Sequence, residues 1–370
     1  MKIVIATGIF VPELGGPATY APNIAREFIK MGHKVEVLTY SDKARYDFDS
    51  GFGYPVFRIK RANKLLNYWR YFQKLQKIAK NADIIYSFDH FSAGIPTALF
   101  CRIYKKPFYI RVGGDFIWER YLDMTGALVT LHDFYKRGIH KQAENFRFKI
   151  IRFIFRQATG IIFTTSFQKE IFKKYYELAD NKLFIIKNPI VLSDAIVREQ
   201  VSKEIIFSGR FIHKNNILNF IRAFHDIHDH SYTLVLIGEG PLKKDIQNLI
   251  AELGADNIHM EEKLSRQDLK KRIANAYLLV WPSLTDISPN SMLEAVSLNV
   301  PILSTSEIGF SWLRDKIRTF DPLSYQDMTR AIDELLDEKV YQDYTKVISE
   351  LNYDYSYNQA ARDTITIFAK

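Results

Sequence analysis

The chain has 370 residues, of which 47% are apolar and 25% charged, with only 17 Gly and 12 Pro. This composition is typical of a packed protein of two or three domains and excludes a disordered, collagen-like or low-complexity chain. The single cysteine, Cys101, excludes an internal disulfide and favours a reducing compartment. No apolar run approaches the roughly 18 residues of a membrane-spanning helix, so we expect a cytoplasmic protein.

The net charge of +9 is divided unevenly along the chain. Residues 1–180 contain 29 Lys and Arg against 16 Asp and Glu, a net charge of +13, whereas the remainder carries −4. Because clustered charge selects what a surface attracts, the two halves are expected to meet different partners.

Apolar β-branched runs alternate with amphipathic stretches, which is the pattern of α/β layers around a buried parallel sheet. A helix predicted over 18–31 ends before Gly32, and another is predicted over 217–224. The predicted strands lie at 2–6, 35–39, 84–86, 108–112, 160–164, 203–208, 233–237, 278–281 and 301–304.

The pattern restarts after residue 200, which predicts two Rossmann-like domains, at 1–189 and 190–354, joined near Asn188-Pro189. No low-complexity linker separates them, so we expect the domains to face each other across a cleft. The tail, 355–370, is predicted to form a last amphipathic helix.

A glycine pair, Gly15-Gly16, follows the first predicted strand and precedes the first helix. Glycines at this place let the backbone approach a phosphate at the helix N-terminus. The alternative is a tight turn without a ligand, and the dinucleotide fingerprint GxGxxG is absent after this strand.

The segment 281–295 carries the strongest combination of features. Ser288 before Pro289 predicts a helix start, with Ser288 as N-cap and Pro289 as the first helical residue. Asp286 lies just before this helix, while Asn290 and Glu294 share one of its sides. Helix N-terminal amides suit a diphosphate and carboxylates suit sugar hydroxyls. A capped helix with a chance acidic residue is the alternative.

Two cations, Arg210 and Lys214, follow the first strand of the second half. Cations at this position neutralise charge that develops on a phosphate leaving group, although a surface charge pair is the plainer interpretation.

Taken together, these motifs resemble the retaining glycosyltransferases of family 4, which have the GT-B fold. The resemblance covers nearly the whole chain, and the order and spacing of its motifs make it specific. The motifs are Pro12-Glu13-Leu14-Gly15-Gly16-Pro17, Gly32-His33-Lys34-Val35, Asn188-Pro189, Ser208-Gly209-Arg210, Gly238-Glu239-Gly240-Pro241, and the pair Asp286 and Glu294 with seven residues between them. The resemblance also implies that the closing helix crosses back onto the first domain.

The family resemblance implies transfer of a sugar from a nucleoside diphosphate donor with retention at the anomeric carbon. It implies that Glu294 binds the ribose, that Asp286 binds the donor sugar, and that Arg210, Lys214 and Gly16 face the diphosphate. The backbone amides expected to join them are those of Ile287, Ser288, Pro289 and Asn290, although Pro289 has no N–H to donate. Such enzymes need no metal, cofactor or protein nucleophile, so catalysis would consist of positioning and electrostatics.

Three departures from the family pattern bear on the site. Asp286 stands where the family usually has Glu. Asn215 stands at the family's lysine position, with Lys214 one residue early, so both remain candidates. The family's histidine falls at Gly113, and Asp115 nearby becomes a candidate to meet the acceptor hydroxyl or the donor sugar, with a loop cap as the alternative.

Further residues admit both a functional and a structural interpretation. His90 follows a predicted strand and is a candidate to line the acceptor cleft, or else a structural histidine. His225, His228 and His230 are expected to mark a helix end rather than a metal site.

Two basic, aromatic stretches, 61–80 and 136–156, suit an anionic membrane surface, with a solvated helix face as the alternative. We find no nucleic-acid motif and expect no nucleic-acid partner.

The sequence therefore predicts a glycosyltransferase acting on a glycan or lipid-linked acceptor in cell-surface polysaccharide assembly, peripheral to the inner face of the membrane. Two alternatives stay open: a nucleotide-sugar epimerase of GT-B fold, and a catalytically silent, membrane-associated binding protein of the same fold.

Overall fold

The computed structural model describes residues 1–13, 15–190 and 201–370. Leu14, within the glycine-pair motif, and residues 191–200, at the start of the predicted second domain, lie outside this description. The strands are β1 Lys2–Thr7, β2 Lys34–Ser41, β3 Val56–Lys60, β4 Ile84–Ser87, β5 Phe108–Val112, β6 Gly160–Phe163, β7 Leu183–Ile185, β8 Glu204–Ser208, β9 Thr233–Ile237, β10 Ile258–Glu261, β11 Leu278–Trp281, β12 Ile302–Thr305 and β13 Arg318–Phe320.

The helices cover both the predicted amphipathic stretches and several connections. They are α1 Gly16–Lys30, α2 Lys64–Ile78, α3 Gly94–Tyr104, α4 Phe116–Thr125, α5 Leu131–Lys136, α6 Ile139–Gln142, α7 Asn145–Gln157, α8 Ser166–Tyr176, α9 Ile217–His225, α10 Lys243–Leu253, α11 Arg266–Ala274, α12 Asn290–Ser297, α13 Ser311–Arg314, α14 Tyr325–Leu336, α15 Glu338–Ser349 and α16 Tyr357–Phe368. Within the described ranges, no helix combines the length and the apolar character needed to cross a membrane.

The strands form two separate parallel sheets, one in each of two compact units. The first sheet has the order β3-β2-β1-β4-β5-β6-β7 and the second has the order β10-β9-β8-β11-β12-β13. In each sheet the chain starts at a central strand, moves outward, returns to the centre and moves outward the other way. This is the doubly wound arrangement, in which the carboxyl ends of the central strands offer a place for a ligand.

Unit 1 comprises residues 1–117, 139–189 and 355–370, and unit 2 comprises 118–138 and 190–354. The chain thus passes to unit 2 and back at 118–138, passes to unit 2 again after Pro189 and returns to unit 1 at Tyr355. The segment 118–138, which the sequence assigns to the first domain, packs in unit 2 instead.

The closing helix α16 belongs to unit 1, where it packs against α1. Its Phe368 ring lies 4.7 Å from the ring of Tyr109 and 5.2 Å from that of Tyr86, both on central strands. Since these rings are buried, α16 is part of the hydrophobic core of unit 1.

A buried arginine fixes the chain where it leaves unit 1. The Arg111 guanidinium donates to the carbonyl oxygen of Ile186 at 3.1 Å and to Asn188 Oδ1 at 2.7 Å, and it lies 4.3 Å from the centre of the Tyr20 ring. These bonds compensate the loss of water around a buried charge, so the Asn188-Pro189 junction starts from a fixed point.

Candidate functional site

In unit 2 the loop after β8 is held by a second loop that contains two glycines. The Phe211 N–H donates to the Glu239 carbonyl at 2.9 Å. A Cβ added to Gly238 would stand 2.0 Å from the carbonyl oxygen of Gly209. A Cβ added to Gly240 would stand 2.4 Å from the carbonyl oxygen of Phe211. Only glycine fits at such distances, so this motif sets the path of the chain that carries Arg210 and Lys214.

Lys214 and Asn215, the two candidates for the family lysine, point to different partners. The Asn215 amide group donates to the Arg210 carbonyl at 2.6 Å and accepts from the Ser283 hydroxyl at 3.3 Å, which ties it into the loop. Lys214 Nζ lies 3.5 Å from Glu119 Oε1. Asn215 therefore braces the loop and Lys214 places an ammonium beside Glu119, while the role of either residue toward a diphosphate stays a prediction.

The loop after β11 is locked against the Lys214 turn and places Asp286 beside it. The Leu284 N–H donates to the Lys214 carbonyl at 2.8 Å, and the Thr285 hydroxyl accepts from the Leu131 N–H at 2.9 Å. The Asp286 N–H donates to the Glu307 carbonyl at 2.9 Å. Backbone bonds on both sides thus fix the position from which the Asp286 carboxylate projects.

The charges of Lys214, Asp286 and Glu119 are coupled. Burial raises the pKa of the Asp286 carboxyl; the Lys214 ammonium and a backbone bond from Ser288 oppose this rise, while the Glu119 carboxylate adds to it. Burial acts to lower the pKa of Lys214, but Glu119 and Asp286 together outweigh it and raise that pKa. One ammonium is therefore shared by two carboxylates, and the carboxylates compete for it.

Helix α12 begins one residue later than the sequence predicts. Pro289, expected as the first helical residue, is the N-cap, because its ψ of 107° is extended rather than helical, and Asn290 is the first residue of the helix. Met292, Leu293 and Val296 are buried, and Glu294 is half-buried on another side. Ile287 is buried, while Asn290 is exposed at the helix N-terminus.

The glycine pair lies in unit 1, at the N-terminus of α1. Gly15 is the N-cap with a φ of 145°, and an added Cβ would stand 2.7 Å from Ile9 Cδ1. An added Cβ at Gly16 would meet nothing within 4 Å. The 15-residue helix α1 therefore starts beside open space, as the prediction that Gly16 faces a phosphate requires.

Asp115 and His90, predicted on the acceptor side, also lie in unit 1. The Asp115 side chain is only 1% exposed, between β5 and α4, whereas His90 is half-buried with its ring 6.0 Å from that of Phe155. Gly113, at the family's histidine position, is exposed, and an added Cβ there would meet nothing within 4 Å. The acceptor roles of Asp115 and His90 stay predictions.

Sequence reasoning gave no role to Glu119, which the structure places at Lys214. Because the sequence assigns 118–138 to the first domain, it does not predict that Glu119 lies near Lys214 of the second. The sequence did hold a signal for Glu119. This residue lies four positions, or about one helical turn, after the candidate Asp115, and both follow the end of the predicted strand 108–112.

The histidines near the end of α9 lie apart from this site. His225 ends α9, and exposed His228 pairs with Asp333 through its ring at 2.5 Å. Throughout the part of the chain that the structure describes, no three His, Cys, Asp or Glu side chains are grouped to hold a metal ion.

Two family models match adjoining parts of the chain. Glycosyltransferase Family 4 matches residues 14–194, and Glycosyl transferases group 1 matches residues 193–351. The doubly wound units and the loop motifs of unit 2 agree with these matches, and the chain belongs to the family 4, group 1 glycosyltransferases.

Similarity to individual proteins is low in identity but extensive in length. The O-antigen chain mannosyltransferase RfbU of Salmonella typhimurium is 23% identical over 56% of this chain, and the match spans 61% of RfbU, less than two thirds. The alpha-monoglucosyldiacylglycerol synthase of Streptococcus pneumoniae is 23% identical over 91% of this chain and 78% of that protein.

Among solved structures, Anabaena HepE in complex with UDP matches with a TM-score of 0.73 at 14% identity, covering 100% of both chains. HepE has also been solved with UDP-glucose. The likeness in structure shows that the fold is GT-B.

Replacing Asp286 by Asn should stabilise the protein in a pH-dependent way. Because the folded-state pKa of Asp286 is raised above its ordinary value of 3.8, its ionisation disfavours the folded state as the pH rises through that window. Asp286→Asn removes this penalty, so we expect a higher free energy of unfolding at about pH 7 and a smaller gain at about pH 4.5.

Urea unfolding at the two pH values measures this, with Asp256→Asn, an exposed carboxylate of unit 2, as the control. A variant that is less stable than the wild type at about pH 7 would contradict the prediction.

Proposed function

We propose that the chain is a retaining glycosyltransferase that moves a sugar from a nucleoside diphosphate sugar to a glycan or lipid-linked acceptor in cell-surface polysaccharide assembly. The observation that carries this proposal is the hydrogen bond from the Leu284 N–H to the Lys214 carbonyl at 2.8 Å, which joins the loops after β8 and β11 that carry Lys214 and Asp286, just ahead of α12. A cation and the amides at a helix N-terminus suit a diphosphate, and a neighbouring carboxylate suits sugar hydroxyls.

In this proposal, different residues of the site contact the diphosphate, the sugar and the ribose of the donor. Lys214, exposed Arg210 and the amides at the start of α12 take the diphosphate. Asp286 accepts hydrogen bonds from hydroxyls of the donor sugar, and Glu294, one helical turn into α12, accepts them from the ribose.

The reaction needs no protein nucleophile. The bond between the anomeric carbon and the diphosphate oxygen breaks, the acceptor oxygen bonds to the same face of that carbon, and the acceptor proton moves to the departing diphosphate. Lys214 and Arg210 stabilise the charge that grows on the diphosphate, which is the part that a metal ion plays in other transferases. We expect activity without a bound metal.

The names of similar proteins support the proposed donor and acceptor classes. HepE binds UDP and UDP-glucose, RfbU is named for a mannosyl transfer in O-antigen, and the pneumococcal synthase is named for a glucosylated diacylglycerol. Each name includes either a nucleotide donor or a surface glycan or glycolipid product.

The donor site is tested by thermal unfolding of the full chain with UDP, GDP, ADP and their sugar derivatives. A ligand that binds only the folded state at 100 times its Kd stabilises it by about 2.7 kcal/mol, so one nucleotide base should raise Tm by several degrees. Glu294→Ala should abolish the shift, whereas Glu252→Ala, an exposed glutamate on α10, should keep it.

No shift with any nucleotide would overturn the proposal. A shift accompanied by acceptor-free isomerisation of the donor sugar, followed by NMR, would favour the epimerase. A shift without any turnover when acceptor extracts are supplied would favour a silent binding protein.

The three-helix face of unit 1, formed by α2, α3 and α7, supports a second proposal, peripheral attachment to the inner face of the membrane. Helix α3 packs on both of its neighbours, through Phe72 with Phe100 on one side and Arg102 over Phe153 on the other. The large apolar side chains that these helices expose are Leu65, Trp69, Leu99, Ile103, Phe146 and Phe153.

Exposed cations on the same helices give this face its positive charge. They are Lys64, Arg70, Lys77, Arg102, Lys149 and Arg156. Apolar side chains among cations fit an anionic lipid surface, where each Lys or Arg adds about 1 kcal/mol.

Neutralising two of these cations tests the attachment. Arg70→Gln with Lys149→Gln should weaken co-sedimentation with phosphatidylglycerol vesicles by about tenfold or more at low salt. Lys30→Gln with Lys34→Gln makes the same change of net charge outside the three-helix face and should leave binding nearly unchanged. Equal loss in both double variants, or no binding by the wild type, would contradict attachment through this face.

A further inference from the structure

The segment 118–138 supplies part of the site in unit 2. Trp118 closes the segment on itself by donating from Nε1 to the Val129 carbonyl at 3.0 Å. Its Leu131 N–H donates to Thr285 Oγ1, and Gly126 lies against His213, whose Cε1 is 3.5 Å from an added Cβ. The segment thus contacts both loops that carry Lys214 and Asp286, and it brings Glu119 with it.

The contact between Glu119 and Lys214 is not a closed ion pair. The 3.5 Å separation exceeds the 2.7–2.9 Å that is usual for an ammonium–carboxylate hydrogen bond, and the Glu119 side chain remains 37% exposed. The Asp286 carboxylate also interacts electrostatically with the Lys214 ammonium. The group of three side chains therefore has one positive charge for two negative ones, and Glu119 keeps the capacity to accept further hydrogen bonds.

A carboxylate in this position favours the sugar of a nucleotide sugar and disfavours its diphosphate. It repels the diphosphate, which the cations and helix amides attract, and it accepts hydrogen bonds from hydroxyl groups. Two carboxylates around the sugar would also repel a sugar that carries its own carboxylate.

We propose that Glu119 is a second acidic contact of the donor sugar and that, with Asp286, it makes the site select a neutral polyhydroxylated sugar over a uronic acid. This inference rests on the proposed function, since it concerns the donor of that same site. Glu119 is a specificity-determining residue, and the segment 118–138 is the part of the chain that delivers it.

Binding of nucleotides to the full chain by titration calorimetry tests the inference. The probes are UDP, UDP-glucose and UDP-glucuronate, or GDP, GDP-mannose and GDP-mannuronate if guanine is the base that binds. In the wild type we expect the neutral sugar nucleotide to bind at least about tenfold more tightly than the uronate, which corresponds to about 1.4 kcal/mol.

Glu119→Gln should reduce this preference by about tenfold, while the free nucleoside diphosphate binds at least as tightly as to the wild type, because the carboxylate that repels it is gone. Retained binding of the free diphosphate shows that the variant is folded. Glu252→Gln is the matched control, because it removes the charge of an exposed glutamate on α10 of the same unit, and it should keep the wild-type preference.

Three results would overturn the inference. The wild type binds the uronate as well as the neutral sugar, the preference survives in Glu119→Gln, or Glu119→Gln loses the free diphosphate as strongly as the sugar nucleotide. These leave the proposed function standing, whereas failure of the wild type to bind any nucleoside diphosphate would overturn both.

Discussion

The arrangement of unit 2 around its candidate site depends on the Lys214 ammonium. It lies near two partly buried carboxylates, Glu119 and Asp286, which come from separate parts of the sequence. Without it, both acids would face each other in a partly desolvated place, where like charges are strongly unfavourable. The Lys214 backbone contributes as well, since its carbonyl accepts the bond that holds the loop after β11.

This arrangement favours ligand binding over stability. Burial raises the pKa of Asp286, and the Lys214 ammonium that it shares with Glu119 does not reverse this rise, so ionisation of Asp286 opposes folding. Perturbed acids of this kind cluster at functional sites, because a bound substrate supplies the hydrogen-bond donors that the protein withholds. The parallel sheet beneath and the glycine-braced loop fix the positions of the loops that carry the group.

The sequence predicted most of the fold because its central strands are continuous apolar runs. β1, β5, β8 and β11 are recognisable for that reason, whereas the short edge strands β3, β7, β10 and β13 are only partly buried and were missed. The family of the chain followed correctly from the order of its loop motifs.

The candidate site was predictable only in part. Asp286 and Glu294 stood out by their spacing, but the choice between Lys214 and Asn215 depended on side-chain direction, which spacing does not contain. Glu119 depends on a packing event between distant segments, namely the docking of 118–138 in unit 2. Local periodicity gives no information on such a contact.

The most direct test of the donor site in unit 2 is a crystal structure of the full chain with a non-hydrolysable nucleotide sugar. We expect the diphosphate within hydrogen-bond distance of Lys214 Nζ and the first amides of α12, with the sugar hydroxyls at Asp286. A nucleotide bound elsewhere, or a diphosphate that contacts neither Lys214 nor α12, would contradict the account.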